Sequence, residues 1–393
     1  MIFALAGTSA FALTIKQGDD TIDLYASIRM HTIFTHVDPG DKAICGRPAG
    51  ENCYQFAIGM QDNSRAGIRW TRGNFFLNNE WGIGGPSGNQ VDDSTTMLRM
   101  RFLYGDYKID GGKGGRIRFG QLPGIVHNSN YYDVKFSNDH ALQGFGTLDD
   151  VRRVGINYEK GDFSIGLLSM RQDRNSVTGL FNDASRGRSA EFVEIMPRIE
   201  AAYSITPDVK VAGTFVTSSA RTKTAAEGEE NLNDKLYHVN AGHFFLAANP
   251  KITENIRLVM SGFYSMNGGL YGMVYTGGGY AKHEGLAQNN YGIMPILKSG
   301  ADKIEFDNSS AYGGAVALAH SKYEFGFGIQ NADNEQWQES QTSWAVYANY
   351  KIRISNFRIT PEFGYLNAGN ERGNPKVEAS RGFRAGVQFR IDI

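Results

Sequence analysis

No stretch of this 393-residue chain approaches the roughly 18 consecutive apolar residues of a membrane helix, so the sequence excludes a helical membrane crossing. No excess of charge is present either. Forty Lys and Arg stand against 41 Asp and Glu, which argues against a general binder of nucleic acid or anionic lipid. Cysteine is nearly absent, at two residues, and without a nearby histidine the pair makes no zinc site. Neither G-x-S-x-G nor H-E-x-x-H occurs. The glycine-rich stretches GGKGG and TGGGY lack the G-x-x-x-x-G-K-[ST] pattern of a phosphate loop and suit turns and loops. Proline is scarce, at ten, and no linker, composition break or low-complexity segment divides the chain. Length by itself would suggest two or three domains; one large all-β unit is the simpler account.

What the chain does have is glycine (48), phenylalanine (24) and tyrosine (19), set in a pattern of period two. In DTIDLYASIRM, Ile22, Leu24, Ala26, Ile28 and Met30 alternate with Asp23, Tyr25, Ser27, Arg29 and His31, the spacing of a strand. The alternation recurs along the chain. Ile199, Ala201, Tyr203 and Ile205 oppose Arg198 and Glu200; Tyr323, Phe325, Phe327 and Ile329 oppose Lys322, Glu324, Gly326 and Gln330. At the end, Phe383, Ala385, Val387, Phe389 and Ile391 oppose Arg384, Gln388, Arg390 and Asp392. These runs are about as long as the 9–11 residues of a tilted membrane strand.

Connections alternate in length as well. Seven are short, at 72–73, 111–115, 159–162, 206–208, 249–255, 320–324 and 354–356. Between them lie eight long polar segments, near 36–55, 84–96, 122–150, 172–190, 220–235, 267–309, 332–341 and 367–379. Short turns at one end and long loops at the other are the pattern of a membrane barrel, and this number of connections joins about sixteen strands with both termini on the short-turn side. Each strand pairs an apolar, aromatic-rich face with a charged one rich in arginine, as a lipid-facing band around a water-filled lumen requires. A soluble sandwich would bury its apolar faces instead. The expected fold is therefore all-β, a transmembrane antiparallel β-barrel of about 16 strands. Tyr25, Trp70, Trp81, Tyr107, Tyr203, Tyr264, Trp344 and Tyr365, near strand ends, are candidates for its interfacial aromatic girdles.

The N-terminal MIFALAGTSAFA is apolar and ends Ala10-Phe11-Ala12, an A-x-A cleavage pattern. This makes 1–12 a residual signal peptide lacking its charged start, and 13–393 the barrel. Export would oxidise Cys45 and Cys53, close together in a polar loop, to a disulfide.

The segments DTIDLYASIRM, NSRAGIRW (63–70), FFLNNEWG (75–82), MLRMRFLYGDY (97–107), GRIRFGQ (115–121) and VRRVGINYEKGDFSIGL (151–167) resemble, in order and spacing, the Gram-negative trimeric general porins. The resemblance implies a homotrimer in the outer membrane of a Gram-negative bacterium, in contact with membrane lipid and lipopolysaccharide. It also implies periplasmic termini, long extracellular loops and a third loop, about 122–150, folded into the lumen opposite a wall cluster of arginines. Carried over position by position, that cluster falls on Arg65, Arg99 and Arg153. Alternation independently puts these on the polar face: Arg65 against Ala66, Ile68 and Trp70, Arg99 against Met100, Phe102 and Tyr104, and Arg153 against Val154, Ile156 and Tyr158. Arg29, Arg69, Arg101, Arg116 and Arg118 share that face. In the third loop Asp149 and Asp150 stand near its return to the wall, which leaves Asp133 and Asp139 to face the ladder. The chain departs from the family in three places: the acidic Pro-Glu-Phe-Gly stretch is missing, Ser27 stands where many relatives carry lysine, and the last residue is Ile393 rather than an aromatic.

Other chemistry is thin. His127 and His140 suit solvated loop positions better than metal ligation. His31, His238 and His243 are the wall histidines a Ser/His hydrolase would need, and none has a convincing partner. No catalytic residue, metal, cofactor or nucleic-acid partner is expected. The expected function is a water-filled channel for passive diffusion of small hydrophilic solutes and ions. Eight lumen arginines on the first six strands, against Asp23 and Glu80, imply a mild anion preference, whereas better-known members of the family often favour cations. Two alternatives stand beside it: a porin selective for carboxylate or phosphate solutes, and a non-conducting structural or adhesive barrel whose 267–309 loop binds a partner.

Overall fold

A computed structural model describes residues 13–38, 51–61, 63–84, 97–127, 131–134, 142–148, 152–169, 188–195, 197–224, 236–271, 296–297, 306–334, 339–371, 374–378 and 381–393. Residues 1–12, Cys45, Asp139, His140, Asp149 and Asp150 lie outside them. Sixteen strands make one closed antiparallel barrel. The first half comprises β1 (Asp20–Asp38), β2 (Cys53–Met60 continued by Ser64–Arg72), β3 (Phe75–Gly84), β4 (Met97–Lys108), β5 (Arg116–Leu122), β6 (Arg153–Lys160), β7 (Phe163–Leu168) and β8 (Arg188–Ile195 continued by Arg198–Thr206). The second half comprises β9 (Val209–Thr224), β10 (Leu236–Ala248), β11 (Ile256–Met266), β12 (Ser309–His320), β13 (Tyr323–Asn334), β14 (Gln341–Tyr350 continued by Ile352–Ile354), β15 (Phe357–Asn367) and β16 (Arg381–Asp392).

Each strand bonds to the one before it, and β16 closes on β1 from Ser27 opposite Asp392 to Asp38 opposite Arg381. A short strand, Leu13–Gln17, folds back on β1 and takes up the line of β16 where it ends: Ile393 bonds to Ala26, and Leu13 stands opposite Leu24. All seven short turns and all eight long connections fall between the strands where the spacing of the sequence puts them.

Burial is inverted relative to a soluble protein. Ile28 is 43% exposed and its neighbour Arg29 4%; Phe325 is 56% exposed and Glu324 3%. The same holds at Ile199 and Glu200. Apolar side chains cover the outside and polar ones line the inside, which no water-facing sheet can sustain and a lipid-facing barrel requires.

The third long loop lies inside the barrel, because its partners are inward-facing residues of the wall. Ile125, Val126 and Leu148 pack against Ala202, Ala212, Val216, Ala241, Phe245 and Phe263, on β8 to β11. Tyr132, Val134, Leu142 and Phe145 pack against Val259, Ala315, Ala317, Ala345 and Tyr347, on β11 to β14. Here the inner face is built of small apolar residues, not the charged ones that the general pattern suggests, because it is covered by the loop rather than wetted. Each fully buried apolar side chain of the loop contributes about 1.5–3 kcal/mol to docking. Close approach is built in: a Cβ at Gly328 would stand 2.0 Å from the carbonyl oxygen of Phe145, so only glycine leaves the loop room at that point.

Candidate functional site

The wall that the loop leaves uncovered carries the arginines. Ser27, Arg65, Gly82 and Arg99 oppose one another in one register row across β1 to β4. Gly82 puts no side chain between Arg65 and Arg99, which stand two strand spacings apart, about 10 Å. One row toward the short-turn end, Glu80 accepts from Arg101 Nε at 2.8 Å and from the Tyr25 hydroxyl at 2.9 Å, and lies 3.6 Å from Arg65 Nε. Two guanidinium groups thus share one buried carboxylate. Arg29 is folded onto Ser27 Oγ at 3.2 Å, and its backbone is held by Ser64 Oγ. Arg153, opposite Leu122 where the loop leaves the wall, donates from Nη1 to the carbonyl of Arg152 at 2.9 Å.

Arg118 is separated from this group by a fault in the alternation. Opposite Glu80 and Trp81 of β3, strand β4 has one extra residue, Arg101. A bulge of this kind shifts every following side chain to the other face. Phe102, Tyr104 and Asp106 therefore point into the lumen, which corrects the expectation that Phe102 and Tyr104 share the lipid face opposite Arg99. Asp106 receives Arg118 Nε at 2.7 Å and Arg116 Nη1 at 3.3 Å, and Glu159 also binds Arg116. Arg118 accordingly sits at the short-turn end within a cluster of two arginines and two carboxylates, and not beside Arg65 and Arg99. Strict alternation missed Asp106, yet one signal was available: counted from Arg99, it would have left a bare carboxylate in lipid.

Tyr25 is likewise a lumen residue rather than part of an outer girdle, since its hydroxyl reaches Glu80 and Asn78. Guanidinium groups stack on the inward aromatics: Arg69 over Tyr25 at 4.3 Å, Arg118 over Tyr104 at 4.9 Å and Arg152 over Phe102 at 5.6 Å. Such contacts hold a cation flat against its support.

Of the two third-loop acids expected to face the ladder, Asp139 lies outside the described residues, and Asp133 is turned to the far wall. Lys351 Nζ stands 2.6 Å from Asp133 Oδ2 and 3.5 Å from Glu324 Oε2. The Asp133 N–H donates to Glu324 Oε1 at 2.6 Å, and Asn349 Nδ2 donates to the Asp133 carbonyl at 2.6 Å. Glu324 also accepts from the Tyr347 hydroxyl. Asp133 is an anchor of the loop on β13 and β14. A second buried glutamate does the same at the other end, where Glu200 Oε2 accepts the Ile125 N–H at 2.8 Å. Between them the Tyr132 hydroxyl bonds to Ala315 O at 2.6 Å, and burial pushes that phenol up, so it stays a neutral donor.

Two of the wall histidines have hydroxyl partners where the sequence suggested none: His238 Nδ1 lies 3.4 Å from Ser219 Oγ, itself a buried side chain. His243 has the other, Ser265 Oγ at 2.5 Å from Nδ1, but Ser265 is fully buried and out of reach of a substrate. Among the described residues no group of three His, Cys, Asp or Glu side chains is placed to hold a metal.

No protein-family model matches the chain, and no curated protein matches it. Solved structures do. The outer membrane channel DcaP of Acinetobacter baumannii superimposes with a TM-score of 0.63 at 12% identity, covering 98% of this chain and 100% of that one. OmpT of Vibrio cholerae, in its outer-membrane expressed form, gives 0.52 at 12% identity over 97% and 100%. Salmonella typhi OmpF, in complex with daunomycin, gives 0.52 at 13% identity over 96% and 100%. At such identities the likeness establishes the fold: this chain has the fold of Gram-negative outer-membrane porins. The closed barrel and its apolar outer belt fit a Gram-negative outer-membrane location.

Proposed function

We propose that the barrel is a water-filled channel through which small hydrophilic solutes and ions diffuse, with a mild preference for anions. One observation carries the reading. The third loop is anchored flat on the inner wall from β8 to β14, by apolar packing and by Glu200, Glu324 and Lys351, on the side of the barrel away from Arg65, Arg99 and Arg101. A passing ion then moves between a loop whose Asp133 is paired with Lys351, which also reaches the buried Glu324, and a wall where Arg65 and Arg101 share one carboxylate. Arginine stays charged at any relevant pH, and a narrow low-dielectric passage focuses its field.

The porin fold also supports assembly as a trimer, with lipid and lipopolysaccharide around it. A Cys45–Cys53 disulfide in the first long loop, and removal of 1–12 as a signal peptide, complete the proposal. Cys53 is buried, and no free cysteine occurs among the described residues. Stepwise current in planar bilayers, together with a slow-migrating oligomer on unheated gels that collapses on boiling, tests channel and trimer together. A protein that inserts without steps of current defeats the channel. A heat-insensitive monomer defeats the trimer alone.

A second reading, a channel selective for carboxylate or phosphate solutes, is favoured by the guanidinium groups of Arg69 and Arg152, stacked on inward aromatic rings. Saturation of current by such a solute separates it from simple diffusion.

A further inference from the structure

Pairing of the last strands, together with closure of the barrel, sets a second row of arginines on the wall. Arg353 on β14 stands opposite Arg358 on β15, Arg358 opposite Arg390 on β16, and Arg390 opposite Arg29 on β1. All four occupy the lumen face of their strands, as the outward Ile352, Ile354, Ile391 and Ile28 beside them require. Like charges directly opposite one another destabilise a sheet, so four in one row call for a compensating anion.

Acidic company is slight. Arg390 Nε donates to Asp392 Oδ1 at 2.7 Å. Among the described residues, neither Arg353 nor Arg358 has a carboxylate within salt-bridge distance. Arg353 and Arg390 flank Arg358 in the row, and the acids near enough to act on it are Asp133 and Asp392. Of these acids, Asp133 is held by Lys351 and Asp392 by Arg390.

The row also has a direction. Barrel strands are tilted by about 45°, so residues that face one another across successive strands climb obliquely along the wall. Arg353 and Arg358 flank the Ser355–Asn356 turn at the short-turn rim, one residue away on each side. Arg29 lies at the middle of β1, next to the row that holds Arg65 and Arg99. The arginines form a ramp from the short-turn mouth to mid-barrel.

We propose that Arg353, Arg358 and Arg390 form an anion-binding subsite at the short-turn mouth that takes phosphate-type dianions in preference to monovalent anions. Guanidinium groups on adjacent strands start about 4.8 Å apart, close enough for two of them to bond the oxygens of one tetrahedral dianion. A dianion bridging two arginines removes the repulsion between them, which a monovalent anion on one arginine leaves in place. Arg29, nearly buried against Ser27, contributes field and connects the subsite to the arginine wall above it.

The inference rests on the channel reading, and the test keeps the two apart. Inorganic phosphate is titrated against chloride current through the purified protein in bilayers, and by calorimetry into the same protein in detergent. Expected is a saturating block by phosphate that acetate does not reproduce. In Arg358→Gln/Arg390→Gln the half-blocking concentration should rise about tenfold, the scale of one charge-assisted hydrogen bond. Lys113→Gln, in the exposed 109–115 turn, should leave the half-blocking concentration where it was. Heat-modifiable migration on gels checks that the double variant has folded. Absence of any current with phosphate binding intact in calorimetry would defeat the channel reading alone. Equal block by acetate and phosphate, or block and binding unchanged in the double variant, would overturn the subsite.

Discussion

Replacing both Arg65 and Arg99 by alanine should move the channel toward cations by an amount that the geometry sets. An ion passing about 8 Å from one guanidinium feels about 0.5 kcal/mol at the dielectric constant of water. A Debye length of about 10 Å at 0.1 M salt roughly halves this. Two arginines then give about 0.5 kcal/mol of attraction for an anion and equal repulsion for a cation, a difference of about 1 kcal/mol, or roughly fivefold in the permeability ratio. At 10 mM the Debye length is about 30 Å and the difference grows to about 1.6 kcal/mol, roughly 15-fold. The fold should survive, because Glu80 keeps Arg101 and Tyr25 as partners. Reversal potentials in a tenfold KCl gradient, at both salt levels, measure the shift. A double variant with the wild-type reversal potential would make these arginines solvated wall charges. A shift that fails to grow on dilution would refute the electrostatic origin.

Two further perturbations follow from the third loop and one from the first. Gly328→Val pushes a side chain into the Phe145 carbonyl, so the loop should lift from the wall; the expected result is noisier single-channel current and faster proteolysis of the loop, with the barrel still heat-modifiable. Asp133→Asn removes a charge already paired with Lys351, so the reversal potential should move much less than in the double arginine variant; a shift as large as that one would mean that Asp133 faces the permeating ion. Cys45→Ser should cost about 2–3 kcal/mol in the chain-entropy model, since the closed loop is short, and should leave membrane assembly intact; thermal unfolding and heat-modifiability check the two parts.

How much of this was legible in the sequence depends on range. Strands, turns and loops are local, and period-two patterning with connections of alternating length specified them correctly from β1 to β16. The bulge at Arg101 is not local. Nothing within MLRMRFLYGDY marks one residue as surplus; pairing with β3 does, and with it go the inward turn of Phe102, Tyr104 and Asp106 and the neutralisation of Arg118. Loop docking is similarly hidden. Ala241, Phe245, Ala315 and Ala317 look like ordinary apolar positions until the loop is laid against them. The partner of Asp133 is Lys351, more than half the chain away, which no motif could supply. The arginine row reaches Arg29 only because β16 closes on β1, so Arg353, Arg358 and Arg390, aligned by consecutive strands, carry no local sign that they meet it.

The most direct test of the account is a single-channel recording of the purified wild-type protein in a planar bilayer under a tenfold KCl gradient. The account predicts steady, ohmic current steps whose reversal potential has the sign of chloride permeating more readily than potassium. Insertion without current, or a reversal potential of the opposite sign, would contradict it.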